Sequence, residues 1–490
     1  MRSLGLEISD AGLIAALAED DGDINLLAGP GAGSGEESPG FAHAGDKGLV
    51  IGRAAEDQWF VHPRRVTWNF WSRLNHEPSG LSASGKPAAC SELAYFHLRD
   101  FVASIRSAAP APDRVVLTVP GDYLRDASTE EEKVGLLLGM AGELKLPVSG
   151  LVDHACAALC DPRGPAFSPS LPVLVVDTGL DGSELTLLAH DGDRLVRRAF
   201  ARLPQAGLAA LLKQLTGAFG NRFLRHTTFD ILEDGRIEQA FFRQTKDFLW
   251  SEATEFRFVI NTATRAYEMP AKHEQLVSDA QAFVASLAQG VQVFLQRQLP
   301  KGAPFTLALS DRSARLPGLA SRLREFSPIR QIRLARGAAA AGAVQLARHW
   351  LRAPADLAEV PVESAVPRTE AAGSHHARAR IRLHKASGPT GAPVPTHAVL
   401  AGIGHPLGAG PDFRIGGSEL SPHLPLGPEF SHVPGCLAII ARDGSGWWWQ
   451  DPVADSAARF SIHAGDRLIL SSDELSAEVL FAYCPPAARP

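Results

Sequence analysis

Apolar positions in the first part of this chain fall in short runs separated by turn residues, a pattern of strands alternating with helices. Ser3–Ser9 and Gly12–Leu17 flank Asp10 and Ala11 and read as a hairpin. Arg114–Val119 is a β-branched strand stopped by Pro120. In the helix that follows, Ser128 or Thr129 can cap the start, Glu131 or Glu132 completes a capping box, and Leu136–Leu138 supply the buried face. His154–Leu159 reads as another helix and Leu171–Asp177 as a buried strand of the parallel type. From Leu203 to Leu299 the spacing is mostly helical, with polar strands near Phe256–Ile260, and Phe305–Leu309 is again a strand leading into a helix. Such alternation predicts an α/β fold.

The pattern breaks twice. Ala28–Gly40 is rich in Gly and Ser and reads as a flexible loop. Residues 353–376 are dominated by Pro, Ala and acidic side chains without periodicity, which predicts a linker. Beyond it, Ala377–Leu383, His397–Leu400, Cys436–Ile440, Trp447–Gln450, Arg467–Leu470 and Val479–Tyr483 are short strands between Gly/Pro turns. The expected organisation is an α/β domain over 1–352, a linker over 353–376 and an all-β sandwich over 377–490.

At 490 residues, 45% of them hydrophobic, the chain can bury more than one core. A net charge of -6 argues against bulk attraction to nucleic acid or an acidic membrane. No window reaches the roughly 18–20 apolar residues of a spanning helix. The N-terminal stretch carries no basic-then-apolar leader, so a cytoplasmic protein is expected. Cys90, Cys156, Cys160, Cys436 and Cys484 are odd in number and scattered, which fits reduced thiols. Cys156 and Cys160 share a helix face without a second ligand pair and read as core thiols. The basic run His375, His376, Arg378, Arg380, Arg382, His384 and Lys385 fits a charge-protected edge strand and lacks the interleaved aromatics of a nucleic-acid surface. Trp447–Trp449 place two rings on one strand face and one on the other, where an exposed ring would suit a protein partner. GxSxG, HExxH and P-loop lysine motifs are absent.

Several segments, in order, carry a resemblance. They are Leu4–Ala11 (LGLEISDA), Val116–Tyr123 (VLTVPGDY), Val152–Leu159 (VDHACAAL), Asp177–Gly182 (DTGLDG), Gly220–Asp230, Arg243–Leu249 (RQTKDFL), Asp311–Pro317 (DRSARLP) and Arg336–Val344 (RGAAAAGAV). Together they resemble the nucleotide-binding domain of DnaK-type heat-shock chaperones, in the actin-like ATPase superfamily. The resemblance implies a two-lobed actin-like fold over about 1–350, with ATP and Mg²⁺ as cofactors. It implies nucleotide-binding positions at Glu7, Asp10, Asp177, Gly179, Asp181, Gly182, Ser313 and Arg315.

The glycines that would cradle a phosphate are mostly replaced. Backbone amides grip phosphate only where no side chain intervenes. The first motif has Ser9, Asp10 and Ala11 in place of the family's glycine and two threonines, the second has Leu180 and Asp181, and the third has Asp311 and Arg312. Asp10 and Asp181 facing a polyphosphate would cost about 1–4 kcal/mol each at surface-like dielectric. The family's catalytic lysine falls within Val66–Arg73, where there is none; Arg65 or Arg73 is the nearest charge. Glu7, Asp10, Asp177 and Asp181 are therefore either ordinary turn polarity or an acidic cluster for Mg²⁺, with Glu7 and Asp177 as its ligands. The expectation is a pseudo-ATPase without a cofactor, serving as a protein-interaction scaffold with its partners on the lobes and the C-terminal domain; a Mg-dependent ATPase that binds ATP and Mg²⁺ is the alternative.

Phe413–Gly417 (FRIGG), Gly446–Asp451 (GWWWQD) and His463–Leu470 (HAGDRLIL) resemble strands of a forkhead-associated (FHA) domain. In that family phosphothreonine is held by an arginine, an SxxH motif and an asparagine-glycine loop. Here those places carry Gly417, Ser431–Cys436 (SHVPGC) and Ala454–Ala458, leaving Arg414 and His432 as partial replacements.

Overall fold

The computed structural model describes residues 1–19, 22–27, 29, 37–46, 48–83, 86–164, 171–192, 194–251, 253–326, 328–349, 360–367, 380–385, 393–400, 402–408, 412–416, 422–426, 437–443, 446–450, 459–471 and 476–484. Among these residues are ten α-helices and several sheets, a mixed α/β chain. It divides into two compact units, Met1–Thr369 and Glu370–Pro490.

Two sheets organise the first unit, and they share one strand order. In the first sheet Arg2–Ile8 pairs antiparallel with Gly12–Glu19, which pairs antiparallel with Asn25–Leu26. On its other side Arg2–Ile8 runs parallel to Arg114–Val119, which runs parallel to Val148–Asp153. The second sheet repeats this: Val173–Thr178, Ser183–Asp191 and Arg194–Leu203 are antiparallel neighbours, and Thr306–Leu309 and Arg330–Arg333 follow in parallel. The central strands are buried on both faces, as runs such as VVLTV and VLVV require.

Helices cover those faces. Cys90–Ala108 and Ala127–Glu143 share a core with one face of the first sheet. His154–Leu159 and Ala338–His349 join buried residues of both sheets. Close approach is what fixes Gly5 and Gly342. A Cβ on Gly5 would lie 1.9 Å from the Ala340 carbonyl oxygen, and one on Gly342 1.8 Å from that of Ala157. The far face of the second sheet packs against Leu208–Thr227, Gly235–Trp250 and His273–Gln298 around an aromatic cluster including Phe219, Phe241, Phe248 and Phe258.

Two expectations need correcting. Helix Ala127–Glu143 is capped by Asp126, whose carboxylate accepts the Thr129 N–H at 2.9 Å; Ser128 and Thr129 lie inside its first turn. Part of the segment expected as linker is strand. Val362–Glu363 pairs with Val148–Asp153 and Ala365–Pro367 with Arg194–Leu203, extending both sheets. Val360, Ala365 and Val366 are buried there, without the regular alternation that would have marked strands in the sequence. The first unit therefore runs past 352.

The second unit contains strands alone among its described residues, in two five-stranded sheets. Phe413, Ile415, Ile440, Trp447 and Trp449 from one sheet and Ala398, Leu468, Leu470, Val479 and Phe481 from the other form one buried cluster. Trp447 and Trp449 point inward and Trp448 lies on the opposite strand face, as the alternation predicts. Among the described residues Arg380–His384 pairs with Arg467–Ser471 alone, at the edge of its sheet; His375, His376 and Arg378 lie outside the described residues.

Candidate functional site

The site forms where the hairpin turns of the two sheets meet. The first turn closes on itself, with Ser9 N–H donating to the Gly12 carbonyl at 3.0 Å and Gly12 N–H to that of Ser9 at 3.2 Å. This closure projects Asp10 toward the second sheet. There Gly179 N–H donates to the Gly182 carbonyl at 2.8 Å, which leaves the next two amides pointing outward. Leu180 N–H donates to Asp10 Oδ1 at 3.0 Å and Asp181 N–H to Asp10 Oδ2 at 2.9 Å. A Cβ on Gly179 would sit 1.8 Å from Asp10 Oδ1. Successive amides of a tight turn make an anion-binding concavity, and the anion in it is the chain's own carboxylate.

Arg312 fills the space beside it. Its Nη2 donates to both Asp177 oxygens at 3.1 and 2.9 Å, its Nη1 to Glu37 Oε1 at 2.5 Å and its Nε to the Thr178 carbonyl at 3.0 Å. Guanidinium–carboxylate hydrogen bonds of this kind are charge-assisted and stronger than neutral ones. Ser310, at the end of strand Thr306–Leu309, accepts the Ser313 N–H at 3.2 Å and so starts the short helix that carries Arg312. Ser313 Oγ lies 2.9 Å from Thr178 Oγ1 and is fully buried. Arg315 donates to the Trp250 carbonyl and stacks over its ring at 5.2 Å. Gly182 is tight against its neighbour strand, where a Cβ would lie 3.0 Å from the Leu203 carbonyl oxygen.

Asp181 does not face open space. Arg202 Nη2 donates to it at 2.9 Å and Ser72 Oγ at 3.0 Å. Arg65 pairs with Asp46 at the surface and Arg73 is exposed. Lys133 reaches the Ser72 carbonyl at 3.2 Å but pairs with Asp122 at 2.9 Å.

Glu7 and Asp177 stand on either side of His154, whose Nε2 is 4.0 Å from Glu7 Oε1 and 3.6 Å from Asp177 Oδ2. Both Asp177 oxygens already accept from Arg312. Among the described residues no group of three or more His, Cys, Asp or Glu has the arrangement to hold a metal ion.

Burial pushes the Asp10 carboxyl above its ordinary value, against the Asp181 amide, Arg202 and Arg312. Burial raises Glu37 as well, with Arg312 opposing. Glu184, accepting the Gly121 N–H at 3.0 Å, is pushed up to about 7 by burial and then by Asp10 and Asp177. Burial acts upward on Asp177 too, but Arg312, His154 and Ser310 outweigh it and hold that carboxyl below its usual range. Burial works against the Arg312 charge, yet Asp177, Glu37, Glu7 and Asp10 keep it protonated.

A cavity of about 510 Å³ adjoins the cluster, with Phe41, Leu208, Leu212 and Trp250 among its apolar walls and Lys246 and Arg315 among its polar ones. Lys246 is paired with Glu56. His154 lies in one of the ordered segments, Val152–Leu159, but no local sign in the sequence marks Glu37, Arg202 or Glu184 as members of the site, since Glu37 lies in a Gly/Ser-rich loop and the other two in strands of ordinary pattern.

Elsewhere, Cys156 and Cys160 are buried free thiols, as expected, and burial pushes Cys160 up to about 12. In the second unit Arg414 is exposed and pairs with Asp412 at 3.1 Å. Gly417, His432 and Ala454–Ala458 lie outside the described residues. No helix among the described residues is long and apolar enough to cross a membrane. No known protein family and no curated protein matches the chain.

Proposed function

We propose that the first unit is an actin-like, DnaK-type domain whose triphosphate site is filled by its own side chains, and that the protein works as a protein-interaction scaffold. The shared strand order of its two sheets supports the actin-like reading, because a duplicated sheet with a cleft at the facing hairpins is how that fold is built. The observation that carries the functional reading is the Asp10 carboxylate on the Leu180 and Asp181 amides. A polyphosphate would have to displace it and also part Arg312 from Asp177 and Glu37. The second unit is read as an FHA-like module serving the same purpose, with protein partners and neither nucleic acid nor membrane.

The 510 Å³ cavity favours one competing reading, a Mg-dependent ATPase with Glu7 and Asp177 at the metal and ATP in the cleft. Isothermal titration with Mg·ATP separates the two. The scaffold reading expects no binding heat at millimolar nucleotide. Saturable heat that Asp177→Ala abolishes would support the ATPase reading instead, and release of phosphate from ATP would complete it.

A further inference from the structure

Helices Cys90–Ala108 and Ala127–Glu143 bury Leu93, Leu98, Val134 and Leu137 in one core with the first sheet. On their outer side they leave an open groove of about 700 Å³. Tyr95 and Phe96 from one helix and Leu136 from the other line it and are only partly buried. Gly135 and Gly139 form part of the lining, one turn apart in the interior of Ala127–Glu143 and exposed. A Cβ at either would meet nothing within 4 Å, so no neighbour among the described residues needs the room they leave. Glycine is a poor helix former, and two on one exposed face weaken the helix without an internal reason.

The edge of the groove is acidic. Glu92, Glu132 and Glu143 line it, and none has an ion-pair partner among the described residues. Arg99, which stacks over Phe96 at 4.9 Å, is itself paired with Asp100. A trough with an apolar floor and an acidic edge, lying between two helices, offers no free backbone for a strand to join. It suits an amphipathic helix laid along it.

We propose that this groove docks a basic amphipathic helix of a partner protein. The helix places apolar side chains over Gly135 and Gly139, and its Lys or Arg residues meet the three glutamates. This rests on the scaffold reading and adds to it the surface and the chemistry of the partner.

The test titrates a fluorescein-labelled helical peptide, leucines at i, i+3, i+4 and i+7 and lysines on the flanks, against the full-length protein. Saturable binding is expected, weakened by added salt and absent for the same peptide with glutamate flanks. Gly135→Gln/Gly139→Gln should weaken it about tenfold or more while leaving the melting temperature at or above that of wild type, since both changes favour the helix. Glu132→Gln/Glu143→Gln should flatten the salt dependence. The proposal is overturned if the lysine peptide fails to bind, if the glutamate peptide binds equally, or if the glycine variant binds as tightly as wild type. It is also overturned if sedimentation shows a wild-type dimer that the glycine variant abolishes, because the occupant is then a second copy. Mg·ATP binding would remove the scaffold reading whatever the peptide does, whereas a protein binding neither ligand removes the groove alone.

Discussion

Asp10 presents two oxygens to two backbone amides, and a phosphate presents the same kind of acceptor with more charge. Asp10→Ala leaves the amides of Leu180 and Asp181 without an acceptor, a loss of about 1–3 kcal/mol. The emptied turn should then accept an external anion. Sulfate is expected to raise the melting temperature of Asp10→Ala progressively and that of wild type hardly at all; equal shifts in a thermal titration would show that the turn is no anion cradle. Arg312 poses the opposite problem. Arg312→Met keeps an apolar stem but leaves the partly buried Asp177 and Glu37 beside buried Glu7 without their cation, which should cost about 1–3 kcal/mol in urea unfolding. At this scale the sequence shows which carboxylates gather, because Glu7, Asp10, Asp177 and Asp181 sit in ordered motifs. It does not show their partners. The motif predicts that Asp10 confronts a phosphate, and it meets amides instead, while Arg202 and Glu37 arrive from positions whose local pattern marks nothing.

At the scale of elements, glycines separate packing from propensity. Gly5→Ala and Gly342→Ala each drive a Cβ against a backbone carbonyl, so helix Ala338–His349 must move off the strand or off its neighbour helix. Overpacking of this kind costs typically about 1–3 kcal/mol and sometimes more. Gly135→Ala and Gly139→Ala, which meet nothing, should instead each stabilise by about 0.5–1 kcal/mol. Chemical denaturation of the four variants checks the contrast, and destabilisation by either of the last two would mean that the outer face of Ala127–Glu143 is packed within the chain. The strands themselves are legible, since buried β-branched runs such as Arg114–Val119 have few alternatives. What escapes are the marginal elements. Two- and three-residue strands such as Val362–Glu363 owe their form to a sheet edge already present, and Asp126 caps a helix that the nearby hydroxyls are equally equipped to start.

For the whole molecule, the alternation of strands and helices carries the α/β class, and the turn-rich tail carries a separate unit whose described elements are strands; the repetition of one strand order in two sheets depends on long-range pairing that periodicity does not encode. The same long-range assembly sets the pH response. Glu184 holds its proton up to about 7 when folded and to an ordinary 4.5 when unfolded, so the folded state binds more protons between those values. Its contribution to stability is thus full below about 4.5 and lost as pH rises through about 7. Asp10 and Glu37, both raised, act in the same direction. His97 acts the other way. Buried between Trp71 and Ser38, it is depressed from 6.5 to about 3, so its contribution is present above 6.5 and lost as pH falls toward 3. The two trends confine maximal stability to mildly acidic solution. Glu184→Gln keeps an acceptor for the Gly121 N–H but removes the ionisation, and should raise the unfolding midpoint at pH 8 by roughly 1–1.5 °C per kcal/mol recovered, given the size of the first unit. Below pH 4.5 the variant and wild type should melt together. Calorimetric scans across this range decide it: an equal offset at both ends would mean that Glu184 is held by shape and not by charge, and that the carboxylates of the cleft do not act on one another.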